Sequence, residues 1–140
     1  MNKIRTSIDV RYQETDQMGV VYHANYLVWF EIGRTKYVEM LGFSYSDMEK
    51  YAIVSPVIDA QISFKKPIRY GEQAIVETWL EKYDGIRTIY GYHILDGKEN
   101  VAVSGTTQHV IVKKENFRPL SLRKTFPEWH QAYIQQIEGE

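Results

Sequence analysis

Cysteine is absent from the 140 residues of this chain, which excludes a disulfide framework and a thiol nucleophile. Long hydrophobic runs are absent too: none approaches the ~20 apolar residues of a membrane-spanning helix. The first twelve residues, MNKIRTSIDVRY, lack the apolar segment of a signal peptide. The formal net charge of −1 argues against electrostatic binding to nucleic acid or anionic lipid. These absences predict a single cytoplasmic domain over residues 1–140, with no membrane insertion.

Several catalytic motifs are missing. GFSYS at 42–46 is not the G-x-S-x-G elbow of serine hydrolases, and no G-x-G-x-x-G or Walker motif occurs. The four histidines have no close metal-ligand spacing: His23, His93, His109 and His130. We therefore expect neither a metal site nor an organic cofactor.

Hydrophobic periodicity divides the chain into strands and helices. Residues 4–12 alternate between apolar and polar side chains, which predicts a half-buried strand. Residues 25–42 carry apolar side chains near helical spacing, which predicts a long helix that ends at Gly42 and is covered over much of its surface. A short amphipathic helix is predicted to begin at Pro127. Four more alternating segments predict strands: 57–66, 73–83, 86–95 and 99–112.

Two Asp-Gly pairs separate the last three predicted strands, at Asp84–Gly85 and Asp96–Gly97. Asp-Gly between such segments is a strong hairpin signal, because a type I′ turn needs positive φ at both central residues. The sheet must bury one face, and the long helix is its only large partner. The sequence therefore predicts an α+β fold in which about five antiparallel strands curl around one long central helix.

A carboxylate stands just before the predicted long helix, in ETDQMGVVYHANYLVWFE at 14–31. One interpretation is that Asp16 ends the strand or forms an Asx turn leading to Gly19. The other is that Asp16 is a general base or nucleophile, and that the first N–H groups of the helix, near His23 to Tyr26, stabilise an oxyanion.

The other polar residues of this stretch have simpler interpretations. Asn25 is expected to cap the helix. Glu14 and Glu31 are expected to be solvated or paired. His23 is interpreted either as part of the site or as an exposed residue before the helix.

The segment DQMGVVYHANYLVWFE resembles the signature of the 4-hydroxybenzoyl-CoA thioesterase family, and is most similar to its branch of bacterial acyl-CoA thioesterases associated with the Tol–Pal envelope system. The resemblance covers a core of about 4–120 and leaves a C-terminal helical tail of about 121–138. It implies the hot-dog fold, in which a strongly curved antiparallel sheet wraps around one long helix.

The resemblance also implies roles for individual residues. Asp16 matches the family's catalytic carboxylate, and His23 matches the position whose backbone N–H polarises the thioester carbonyl. The type enzyme has Tyr-Pro where this chain has His23–Ala24, so its aromatic substrate does not transfer directly. The resemblance implies substrate contacts at four positions, of which the two arginines would bind CoA phosphates: Gly19, Tyr26, Arg87 and Arg118. Lys65 and Lys66 are weaker candidates.

The implied activity is hydrolysis of the thioester of a small aromatic or short-to-medium aliphatic acyl-CoA. A thiol with pKa near ~8.5 is a fair leaving group, so one carboxylate and one oriented donor suffice. Two alternatives stay open: a hot-dog hydratase or dehydratase acting on acyl thioesters, and a non-catalytic acyl-CoA-binding protein. We further expect a homo-oligomer, either a dimer or a homotetramer, with Asp16 from one chain and the helix donors from another.

Overall fold

The computed structural model describes residues 2–139. The helices are α1 Asn25–Met40, α2 Tyr45–Lys50, α3 Leu122–Thr125 and α4 Pro127–Glu138, and a 3-10 turn covers Tyr12–Glu14. The strands are β1 Ile4–Asp9, β2 Ile53–Val54, β3 Val57–Phe64, β4 Gln73–Tyr83, β5 Arg87–Leu95, β6 Val101–Val110 and β7 Val112–Lys113. Among the described helices, none has the length and apolar character needed to cross a bilayer.

Five strands form one antiparallel sheet in the order β1-β4-β5-β6-β3. The two Asp-Gly pairs lie in the turns that join β4 to β5 and β5 to β6, as predicted. The predicted type I′ geometry is wrong, because a positive φ occurs at Gly85 (+97°) but not at Asp84, and in the second turn it occurs at Glu99 (+62°) and at neither Asp96 nor Gly97. The short strands β2 and β7 pair separately. The predicted α+β architecture of a five-stranded sheet, one long helix and a C-terminal helix is confirmed, and it is that of the hot-dog fold.

Helix α1 packs against β4, β1 and β5. Gly33 sets the distance between helix and sheet, because a Cβ atom there would clash with Thr78 Oγ1 and lie 2.6 Å from Val76 Cγ1. In the preceding turn of α1, the Phe30 ring stacks on Tyr92 with 4.1 Å between centroids. These contacts pack the buried face of α1 directly against one face of the sheet.

The outer face of α1 is less covered than the sequence predicted. Leu27, Val28 and Ile32 are 43%, 46% and 36% exposed. The helix also ends two residues early, at Met40, and Gly42 follows with a φ of +96°. The prediction of a largely covered helix is wrong for this chain by itself, because the single sheet reaches only one side of α1.

Strand β3 is the second departure from prediction. Its alternating apolar residues predicted a buried face, yet Val57, Ile58 and Phe64 are each about half exposed. The reason is that β3 is the edge strand beside β6, whereas α1 packs mainly on β1, β4 and β5, toward the opposite edge of the sheet. An exposed apolar edge strand is a surface that another chain can pair with.

Candidate active site

Asp16 lies in the loop between β1 and α1 and forms the predicted Asx turn. Its Oδ1 accepts the Met18 N–H at 2.8 Å, and its backbone carbonyl accepts the Gly19 N–H at 3.0 Å. Gly19 has a φ of +79°, which favours glycine at this position. The second carboxylate oxygen, Oδ2, has no hydrogen-bond partner within residues 2–139. The turn therefore orients one oxygen and leaves the other available.

Two backbone N–H groups are free where α1 begins. The N–H groups of Asn25, Tyr26 and Leu27 donate to carbonyls three residues earlier, which satisfies the donors that a helix start leaves orphaned. Those of His23 and Ala24 have no acceptor in the part of the chain that is described. The prediction placed the donors near His23 to Tyr26, and of these the structure leaves the N–H groups of His23 and Ala24 free, just before the first helical residue Asn25.

Glu14 fastens this loop to the helix, a role that the sequence did not reveal. Its side chain is buried and accepts the Trp29 indole N–H and the Arg11 backbone N–H, both at 2.8 Å. Its backbone carbonyl accepts the Tyr22 N–H at 2.8 Å and the Asn25 side-chain amide at 2.9 Å. Ala24 occupies the N-cap position, so the prediction that Asn25 caps the helix is wrong.

The charge of Glu14 fits this anchoring role. Burial opposes ionisation, but the hydrogen bonds from Trp29 and Arg11 outweigh it and hold the pKa of the Glu14 carboxyl below its usual range. The ionised carboxylate also lies 3.4 Å from the Arg11 guanidinium. A charged, buried Glu14 thus fixes where His23 and Ala24 present their N–H groups.

Asp16, His23 and Tyr26 line one open cleft of about 320 Å³. The rest of its wall is mostly apolar, with two cations at one end: Met18, Val20, Val21, Phe64, Lys65, Lys66 and Pro67. Because a single chain supplies both Asp16 and the free donors, the expected division of these groups between two chains is not required. The cleft therefore combines a carboxylate, the free N–H donor of His23 and an apolar wall, and Ala24 with its free N–H follows His23 directly.

The side chains of His23 and Tyr26 contribute shape to this cleft. The exposed His23 ring lies 4.4 Å from the Tyr22 ring, centroid to centroid, and forms no hydrogen bond or ion pair within residues 2–139. Tyr26 is buried, which raises the pKa of its phenol, and its ring lies 5.9 Å from Phe64. No three His, Asp or Glu side chains of the described residues converge in the way that a metal ion needs.

Arg87 and Arg118 lie away from this cleft. Phe64, at the cleft, pairs with Val103, whereas Arg87 pairs with Val110 at the opposite end of β6. Seven residues of strand separate these pairs by roughly 23 Å. The Arg118 carbonyl accepts the Lys113 N–H beyond that same end. Within one chain, the weaker candidates Lys65 and Lys66 lie at the cleft and the two arginines do not.

Comparison with known proteins gives consistent results. The sequence profile of the thioesterase-like superfamily matches residues 10–134. A Bacillus subtilis protein named "Putative acyl-CoA thioesterase YneP" is 55% identical over 133 residues, which are 95% of this chain and 96% of that protein. The acyl-CoA thioester hydrolase YbgC of Escherichia coli is 23% identical over 86% of this chain and 90% of its own. A crystal structure of DHNA-CoA thioesterase from Staphylococcus aureus superposes with a TM-score of 0.95 and 45% identity, covering 100% of this chain and 97% of that one.

Proposed function

The chain belongs to the thioesterase-like superfamily, and from that premise we propose that it hydrolyses acyl-CoA thioesters to the free acid and CoA. One observation carries the proposal: Asp16, with a free carboxylate oxygen, and His23, with a free backbone N–H, line the same cleft of one chain, and the free N–H of Ala24 is the next along the chain. The names of YneP, YbgC and the Staphylococcus aureus enzyme support the same activity.

The chemistry needs only these groups. The N–H groups of His23 and Ala24 donate to the thioester carbonyl oxygen and stabilise the negative charge that develops on it, an effect of roughly 3–4 kcal/mol for a single donor. Asp16 Oδ2 either takes a proton from the attacking water or attacks the carbonyl carbon itself. With water as nucleophile, the water oxygen bonds to the acyl carbon, the C–S bond breaks, and the proton taken by Asp16 passes to the thiolate. With Asp16 as nucleophile, the C–S bond breaks to give a mixed anhydride of Asp16 and a thiolate that takes a proton from water, and a second water then hydrolyses the anhydride to the free acid.

The remaining predicted residues receive proposed roles around this centre. Gly19 closes the turn that orients Asp16, and the rings of Tyr26 and Phe64 contact the acyl group. Arg87 and Arg118 can reach a CoA phosphate only from a second chain. Antiparallel pairing of the β3 edges of two chains would bring the arginines of one chain toward the cleft of the other. In that pairing the Val57 end of one β3, which is the end of the sheet that carries Arg87, lies beside the Phe64 end of the other, which carries the cleft.

A homo-oligomer of at least two chains is proposed on the same grounds. The half-exposed apolar residues of β3 and the exposed strip Leu27, Val28 and Ile32 of α1 form the surface that a second copy would cover. The proposed assembly is a dimer or a homotetramer in the cytoplasm, and the proposed branch of the family is the Tol–Pal-associated one.

A panel of acyl-CoA substrates tests the activity. We expect thiol release, followed with a chromogenic disulfide, from DHNA-CoA, small aromatic acyl-CoAs and short-to-medium aliphatic acyl-CoAs. Product analysis by mass spectrometry separates the alternatives, since a hydratase changes the acyl chain without releasing thiol and a binding protein does neither. Absence of thiol release across the panel would refute the proposal.

A further inference from the structure

An exposed thioether stands at the candidate active site. Among the large hydrophobic side chains of residues 2–139, that of Met18 is the most exposed, at 79%, and it lines the cleft that holds Asp16. The Met18 backbone N–H donates to Asp16 Oδ1 at 2.8 Å, and Gly19 follows in the same turn with its φ of +79°. The turn that orients the proposed catalytic carboxylate therefore also holds the Met18 sulfur at the wall of the cleft.

Methionine is the side chain of this protein that hydroperoxides oxidise most readily, because the sequence contains no cysteine to compete with it. The sequence has four methionines, of which Met1 lies outside the described residues. Met48 is 1% exposed and packs in the hydrophobic core, whereas Met40 is 42% exposed. Exposure therefore ranks Met18 first, Met40 second and Met48 last as targets of an oxidant.

Met40 is a matched comparison for Met18 because it is exposed but distant from the cleft. It is the last residue of α1, whereas Tyr26, near the start of the same helix, lines the cleft. The helical rise of ~1.5 Å per residue places the two residues roughly 21 Å apart. Oxidation of Met40 should therefore leave the cleft unchanged.

We propose that Met18 is a modification site at which a hydroperoxide converts the cleft from an apolar to a polar form; the effect on activity rests on the proposed function. In this reaction the thioether sulfur gains one oxygen atom and loses two electrons. The O–O bond of the hydroperoxide breaks, and the hydroperoxide is reduced to water or an alcohol. Methionine sulfoxide reductases, with a dithiol as reductant, return the sulfoxide to the thioether, so the change is reversible.

The oxidation changes the character of the wall without changing the proposed catalytic groups. The sulfoxide oxygen is a hydrogen-bond acceptor, and it would stand among the other apolar members of the wall: Val20, Val21, Phe64 and Pro67. An apolar acyl group that covers this oxygen removes it from water and supplies no donor, which is unfavourable. The Asp16 carboxylate and the N–H of His23 are not altered. Oxidation should therefore weaken substrate binding more than it slows the chemical step.

The test treats the whole protein with hydrogen peroxide and follows sulfoxide formation at each methionine by peptide mass spectrometry. Met18 should be oxidised roughly twofold faster than Met40, in line with their exposure, and Met48 should be oxidised last. Conversion of Met18 should raise KM for an aliphatic acyl-CoA by about three- to tenfold, with kcat within about twofold of the untreated value. Treatment with methionine sulfoxide reductases should restore KM.

Three variants separate Met18 from other targets of peroxide. Met18→Leu removes the sulfur and keeps the wall apolar, so peroxide should not change its KM, whatever that KM is before treatment. Met18→Gln places a polar side chain in the wall and should reproduce the raised KM of the oxidised protein. Met40→Leu should respond to peroxide as the wild-type protein does.

Binding of a non-hydrolysable acyl-CoA thioether, measured by titration calorimetry, separates this inference from the proposed activity. Weaker binding to peroxide-treated wild type, but not to treated Met18→Leu, supports the inference even if no thiol is released from any substrate. The inference is overturned if Met18 is oxidised no faster than Met40, or if its oxidation changes neither KM nor the affinity for the thioether. It is also overturned if peroxide weakens Met18→Leu as much as it weakens the wild-type protein.

Discussion

Replacing Asp16 by asparagine separates its role in the turn from its proposed catalytic role. The amide oxygen of asparagine can still accept the Met18 N–H, which lies 2.8 Å from Asp16 Oδ1, so the turn should survive. The negative charge and the basic oxygen are lost. We expect kcat to fall by at least ~10²-fold, the low end for a general base, which is about 2.7 kcal/mol of transition-state stabilisation. The free energy of unfolding should change by less than about 0.5 kcal/mol.

A matched control is available in the β4–β5 turn. Asp84 makes a similar turn, with its Oδ1 accepting the N–H groups of Ile86 at 3.0 Å and Arg87 at 2.7 Å, and it lies outside the cleft. Asp84→Asn should keep wild-type kcat. Asp16→Glu retains the charge but displaces it by ~1 Å, enough to cost ~10²-fold.

Thiol release, urea denaturation and CoA affinity should be measured on the same preparation of each variant. If Asp16→Asn hydrolyses the substrate within tenfold of wild type, Asp16 is not the catalytic carboxylate. If it unfolds readily while Asp84→Asn does not, the charge of Asp16 is needed for the fold, and the catalytic reasoning fails.

Three further predictions concern the fold and assembly. Burial, together with the Arg34 guanidinium, lowers the pKa of His109 from 6.5 to about 4, so the unfolded chain binds a proton at this residue more readily than the folded chain does. The free energy of unfolding, measured by urea denaturation, should therefore fall by about 3 kcal/mol between pH 6.5 and pH 4. His109→Gln should flatten this pH dependence. Gly33→Ala should cost about 1–3 kcal/mol of unfolding free energy, whereas Gly97→Ala, where a Cβ would meet only Gln73 O at 3.9 Å, should cost far less; equal costs would contradict the close-packing argument. Light scattering should give a mass of at least two 16.5 kDa chains, and Ile58→Lys in β3 should lower that mass. A fully active particle of 16.5 kDa would show that activity does not require an oligomer.

Local signals made most of the fold predictable. Alternation over β4, β5 and β6 and the Asp-Gly turns between them are properties of adjacent residues, and the structure reproduces them with small shifts at the ends. The helix α2 and the strands β2 and β7 were missed because six and two residues are too few to establish a period. The exposure of β3 was missed because alternation indicates which side chains share a face, and only the strand order decides whether α1 covers that face.

The grouping of the candidate site residues was predictable where they are close in sequence. Asp16 and His23 are seven residues apart, and the structure places them in one cleft. The anchoring by Glu14 depends on Trp29, fifteen residues away, and no local pattern indicated that contact. Arg87 and Arg118 were assigned without knowledge of the strand register, which places them at the far end of the sheet.

The order of strands in the sheet also bears on how the chain folds. β4, β5 and β6 are neighbours both in sequence and in space, so two tight turns can assemble them early. β1 must pair with β4 across a separation that reaches 74 residues, from Ile4 to Thr78, and β3 must wait for β6. Closing such large loops is slow, because the chain loses conformational entropy before stabilising contacts form. The central meander should therefore gain amide protection first during refolding, and both edge strands last. Until β3 docks, the wall that carries Phe64, Lys65 and Lys66 is unformed, so the cleft would be among the final parts of the molecule to assemble.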